Sequence, residues 1–140
     1  MLALASAIFA GDARAAIPDT GIPTRCETWA EHAAMVARWH TGYYAYTYVR
    51  KIVLSPTTCI RLAAPTTSAD YALGVYTLAH ETGHVRLRTH SERRAECYCL
   101  AHWRDYIAVP NAEQRATVAA MHASLPARYK GRCPNPSIEG

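Results

Sequence analysis

The stretch Thr77–Cys97, TLAHETGHVRLRTHSERRAEC, limits the fold more than any other part of the chain. It places His80, Glu81 and His84 in the order His-Glu-x-x-His. On a helix, residues four apart lie about 40° from each other around the axis, so both imidazoles project from one face. Two imidazoles so placed can bind a single ion, zinc above all. Glu81 points to the flank of that site, where its carboxylate takes a proton from metal-bound water rather than binding the metal itself. The apolar residues Leu73, Tyr76, Leu78 and Ala79 precede the motif and bury the helix that carries it. Gly83 costs about 1 kcal/mol of helix propensity relative to alanine, which is easier to explain if something approaches the helix closely.

Two imidazoles do not complete a metal site, and the candidates for a third ligand are His90, Glu92 and Glu96. Counting from His80 as position one, His90 falls at position eleven, the spacing of the metzincin pattern His-Glu-x-x-His-x-x-Gly-x-x-His. Position eight of that pattern is a glycine at a sharp turn, whereas this chain has Leu87, which would be strained at positive φ. Met121 is the only later methionine, and it falls in the helical-looking segment AAMHASL rather than in a turn. Glu92 and Glu96 stand four apart on a second helix, so both face the same way if the chain reverses through RLRTHS. Against a ligand role for Glu92, Thr89-His90-Ser91-Glu92 also reads as a capping box, in which Glu92 would bond the Thr89 amide.

On these residues the chain resembles gluzincin-type metallopeptidases, whose second helix carries Glu-x-x-x-Asp. Here Glu92-Arg93-Arg94-Ala95-Glu96 fits, with glutamate in place of the aspartate, and the gap of seven residues between His84 and Glu92 is shorter than in most relatives. The continuation Glu96-Cys97-Tyr98 is similar to the Ala-Asp-Cys stretch of a group of neutral zinc metallopeptidases. Small secreted actinobacterial His-Glu-x-x-His proteins are also similar, including the segment Leu54 to Leu62 with Pro56 and Cys59. The resemblance implies that Glu92 is the third zinc ligand and that Glu96 hydrogen-bonds a ligand histidine; His90, at the metzincin spacing, is the alternative third ligand.

Around the motif, Thr24 with Glu27 reads as a capping box opening a helix from about Arg25 to His40, which ends at Gly42. His32 and His40 lie on it as structural rather than ligating histidines. YYAYTYVRKIVLSP is dense in tyrosine and β-branched residues and reads as a strand stopped by Pro56. Its tyrosines would also suit a carbohydrate or peptide platform, although a half-buried strand explains them more simply. PTTCIRL forms a helical turn capped by Thr57 or Thr58, and Asp70 or Ser68 caps the long central helix. A second helix starts between Thr89 and Ser91 and runs to Pro110, a third runs from Asn111 with Gln114 to Pro126, and the remainder is an irregular tail that Cys133 can tether.

At 140 residues the chain suits one domain, and half of its residues are apolar, the balance of a globular protein. MLALASAIFAGDARAA reads as a signal peptide cleaved after Ala15 but lacks the basic start of one, leaving residues 16–140 as a single domain. The apolar run is far too short to span a bilayer, so no stable membrane insertion is expected. Five cysteines then fit an exported protein with one or two disulfides and at least one unpaired thiol. Cys97 and Cys99 cannot bond each other on one helix; Cys97 is the better disulfide candidate and Cys99 the buried thiol. The net charge of +4 comes from scattered arginines with no long basic block, so nucleic acid is not an expected partner. The expectation is therefore an α+β, zincin-like domain, mainly helical with a short sheet, in which the motif helix is followed by a second ligand helix. Its expected activity is zinc-dependent hydrolysis of peptide or protein substrates outside the cytoplasm. The rival is a secreted zinc-binding or structural module with little or no turnover. Substrate specificity and oligomeric state are not written in the sequence.

Overall fold

The tyrosine-rich stretch forms a hairpin rather than one strand, and the sheet grows from it. A computed structural model describes residues 17–66 and 68–107, together with Ala112 and Cys133. Strand β1 (Thr24–Cys26) leads to helix α1 (Trp29–Trp39), strands β2 (Ala45–Tyr48) and β3 (Lys51–Leu54), and helix α2 (Pro56–Leu62). Helices α3 (Ala69–Arg86) and α4 (Glu92–His102) follow, and α4 runs into a 3₁₀ turn at Trp103–Tyr106. The chain is thus a small α+β domain with four helices among the described residues.

The sheet has the order β1-β3-β2, with β1 parallel and β2 antiparallel to the central β3. Side chains alternate across a strand, and Ile52 and Leu54 of β3 are fully buried on the inner face. There they join Leu62, Val75 and Leu78 from α2 and α3, with Cys99, Trp103 and Tyr106 closing the core from the α4 end. Helix α3 is buried on several sides at once, from Tyr71 to Gly83, which is why its apolar residues show no single stripe. Two disulfides fasten this framework: Cys26–Cys59 ties β1 to α2, and Cys97–Cys133 ties α4 to the C-terminal tail. Cys99 is the buried free thiol, as expected.

Several boundaries differ from the sequence expectation. Residues 24–26 are a strand, because the parallel pairing of Thr24 with Ile52 and Cys26 with Leu54 claims them. The helix starts at Trp29 under a second capping box one turn later, Thr28 with Glu31, and ends at His40 in the left-handed conformation, before Gly42. The hairpin turns at Val49 and Arg50, both at positive φ (46° and 59°), without the Asn or Gly that normally announces such a turn. Helix α2 is capped by Ser55, not by Thr57 or Thr58, and α3 by Ser68, not by Asp70. Helix α4 is capped by Ser91, whose hydroxyl accepts from the Arg94 amide, and it stops at His102, short of Pro110. The signal peptide expected over residues 1–15, the helix expected from Asn111 to Pro126 and, apart from Cys133, the tail expected beyond it lie outside the described residues. Among the described residues no helix is long and apolar enough to cross a membrane.

Candidate metal centre

The site lies where α3 and α4 cross, and Gly83 sets how closely they do so. A Cβ on Gly83 would meet the Ala95 carbonyl oxygen and Tyr98 Cβ at 3.0 Å, so only glycine lets α4 lie this near. The reversal between the helices takes five residues, 87–91. Thr89 N–H donates to the His84 carbonyl (3.1 Å) and Arg88 N–H to the Val85 carbonyl (3.2 Å), the paired bonds of a Schellman motif. Arg88 occupies the left-handed position of that motif (φ 47°), whereas Leu87 is right-handed at φ −85°.

This reversal brings Glu92 back over the motif helix. Glu92 Oε2 is 3.0 Å from His80 Nε2, Glu92 Oε1 is 3.3 Å from His84 Nε2, and the two Nε2 atoms are 3.2 Å apart. Four-coordinate zinc with bonds near 2.0–2.1 Å has ligand–ligand edges of about 3.3 Å, so the two nitrogens and the Glu92 carboxylate, which meets each nitrogen with a different oxygen, stand at the spacing of such ligands. Donor atoms of His80, Glu81 and His84 also all lie within 4.8 Å of one another, a group able to hold a metal ion. Of the three carboxylates near the histidines, Glu81, Glu92 and Glu96, Glu92 lies within 3.3 Å of both Nε2 atoms, and its side chain is 79% exposed. His90 is exposed and joins no contact of the cluster.

Both imidazoles are oriented from behind. His80 Nδ1 donates to Glu96 Oε2 at 2.9 Å, and His84 Nδ1 donates to the Thr89 carbonyl at 2.9 Å. When neutral, each ring thereby presents a bare Nε2 to the other and to the Glu92 carboxylate, a set of electron pairs that a proton or a metal cation between them would satisfy. Tyr76, one turn before His80, donates its hydroxyl to Glu96 Oε1 and so fixes the carboxylate that holds His80. Sequence reading did not single out Tyr76. Its position four residues before His80, on the same helix face, was the available signal.

The electrostatics follow from this arrangement. Burial would lower the His80 pKa, but the hydrogen bond to Glu96 and the charges of Glu81, Glu96 and Glu92 outweigh it and raise the net value. Burial would raise Glu96, but the hydrogen bonds from His80 and Tyr76 hold its carboxyl below the ordinary range. Burial also pushes Glu81 above the ordinary range, an effect that His80 and His84 moderate and Glu92 reinforces. Glu81 is buried and makes no hydrogen bond among the described residues.

The chain matches no protein-family model, no curated protein and no solved structure.

Proposed function

We propose that the protein is a small exported zinc metallopeptidase of the gluzincin type, in which His80, His84 and Glu92 hold the ion and Glu81 is the general base. The observation that carries this reading is the set of three facing acceptors, two imidazole nitrogens and a carboxylate, at 3.0–3.3 Å from one another. Zinc bound there supplies Lewis acidity toward a peptide carbonyl and toward water, the usual contribution of the metal in such hydrolysis. Glu81 accepts the proton of the attacking water and passes it to the departing amine, a task helped by the upward shift that burial gives its carboxyl. Glu96 and the Thr89 carbonyl keep both imidazoles in the tautomer that leaves Nε2 free. The substrate would be a peptide or protein reaching the ion from the side of Glu92, whose side chain is exposed.

The two disulfides favour an oxidising compartment outside the cytoplasm, which fits a secreted or cell-envelope protein. The test is Glu81→Gln in the zinc-loaded protein, assayed on a mixed peptide library by mass spectrometry. The variant is expected to keep one zinc per chain and lose cleavage by about 10²-fold or more. Equal cleavage by the wild type and Glu81→Gln would refute the base assignment. A zinc-loaded wild type that cleaves nothing would leave a zinc-binding module without turnover.

A further inference from the structure

The outer face of the sheet carries a second feature, which shares no residue with the His80 cluster and does not rest on the peptidase reading. With Ile52 and Leu54 turned to the core, Arg25, Tyr46, Tyr48, Lys51 and Val53 share the opposite face. Helix α1 lies against that face through Trp39, whose ring centroid is 5.1 Å from that of Tyr46, yet no residue of α1 is buried among the described residues. Between helix and sheet runs a groove of about 840 Å³. Three aromatic rings, Trp39, Tyr46 and Tyr48, and three cations, Arg25, Arg38 and Lys51, line it without a single carboxylate.

Trp39 is 41% and Tyr48 67% exposed, so aromatic surface is open to solvent in a groove whose charged residues are all cations. Arg25 is already paired with Glu31 at 3.0 Å, whereas Arg38 and Lys51 have no anionic partner among the described residues. The hairpin tip beside the groove adds to this. Val49 and Arg50 hold left-handed backbone there, where Asn-Gly would sit without strain, and Val49 is 73% exposed.

We infer that this groove binds an anionic polysaccharide, a chain of sugar rings bearing carboxylate, sulfate or phosphate groups. Aromatic rings offer an apolar face on which the C–H face of a sugar packs, with a polar tip left for its hydroxyls. Arg38 and Lys51 supply the countercharge, Arg38 in bidentate form. A peptide is the poorer fit because the lining is a sheet face and a helix side. Strand addition needs the unpaired backbone of a sheet edge. Nucleic acid is the poorer fit because the two disulfides favour a compartment where the polyanions in reach are those of glycans.

The experiment is isothermal titration of the full chain with oligogalacturonate, sulfated dextran oligomers, neutral dextran oligomers, poly-glutamate and oligo-deoxythymidine. Binding of at least one of the two acidic sugars is expected, and which one binds identifies the anionic group. It should weaken about tenfold or more in Arg38→Glu/Lys51→Glu and in Tyr48→Ala, and weaken with added salt. All three positions are exposed, and circular dichroism verifies that the variants keep their fold. The inference is overturned if neither acidic sugar binds, or if folded Arg38→Glu/Lys51→Glu binds as the wild type does. It is equally overturned if neutral dextran, poly-glutamate or the oligonucleotide binds as tightly as the acidic sugars.

Discussion

Replacing Glu96 with glutamine keeps the size of the group that holds His80 and removes its charge. In the metal-free protein Glu96 accepts two hydrogen bonds, from His80 Nδ1 and from the Tyr76 hydroxyl, and its side chain is only 12% exposed. Charge-assisted bonds exceed neutral ones by about 1 kcal/mol each, so the substitution should cost about 2 kcal/mol. For a domain of this size that is about 8 °C in Tm. The pH dependence has a definite sign. The Glu96 carboxyl is held low, so its contribution is complete above the ordinary carboxyl value of about 4.3 and is lost as pH falls through the lowered value. His80 is raised, so its contribution is complete below about 6.5 and is lost as pH rises through the raised value. The gap between wild type and Glu96→Gln in EDTA should therefore be widest between about pH 4.5 and 6.5 and close in strong acid. Thermal unfolding followed by circular dichroism at pH 6 and again below pH 3 measures it. The same variant should bind zinc about 10- to 100-fold more weakly at pH 7.5, because His80 loses its orienting partner. Equal stability at pH 6 with unchanged zinc affinity would show that the Glu96 charge neither stabilises the fold nor orients His80.

Other substitutions test the frame around the site. Gly83→Ala places a Cβ 3.0 Å from the Ala95 carbonyl and should cost about 1–3 kcal/mol by prising α4 from α3, with zinc affinity falling alongside Tm. Arg88→Gly removes the penalty of a side chain in left-handed backbone, and a gain of about 1 kcal/mol is expected in urea unfolding. Cys26→Ala/Cys59→Ala opens a link spanning 33 residues, for which loop-closure entropy predicts a loss of about 3–4 kcal/mol by the same assay.

The parts of the fold that could be read from the sequence were those governed by local chemistry. The helix through His80 and His84, the close approach implied by Gly83, the divergence of Cys97 from Cys99 and the α+β class all followed from spacing and residue type. The errors arose where two local signals competed or where a distant partner decided. Thr24/Glu27 and Thr28/Glu31 are both capping boxes, and only the pairing of residues 24–26 with β3 chooses between them. The hairpin escaped notice because Val49 and Arg50 are poor residues for a turn that requires positive φ. Thr89 and Ser91 both suit the N-cap of α4, and Ser91 takes it, which frees Glu92 to turn toward the histidines. Tyr76 was missed because a buried tyrosine on a core helix reads as packing until the partner of its hydroxyl is seen.

In the proposed peptidase one zinc ion is held by His80, His84 and Glu92. Elemental analysis of the purified chain, with zinc titration of the stripped protein, tests it most directly. One equivalent of zinc is expected in the wild type and in His90→Ala, and a loss of tight binding in Glu92→Ala. A wild type that takes up no zinc, or a site that survives Glu92→Ala and fails in His90→Ala, would contradict the account.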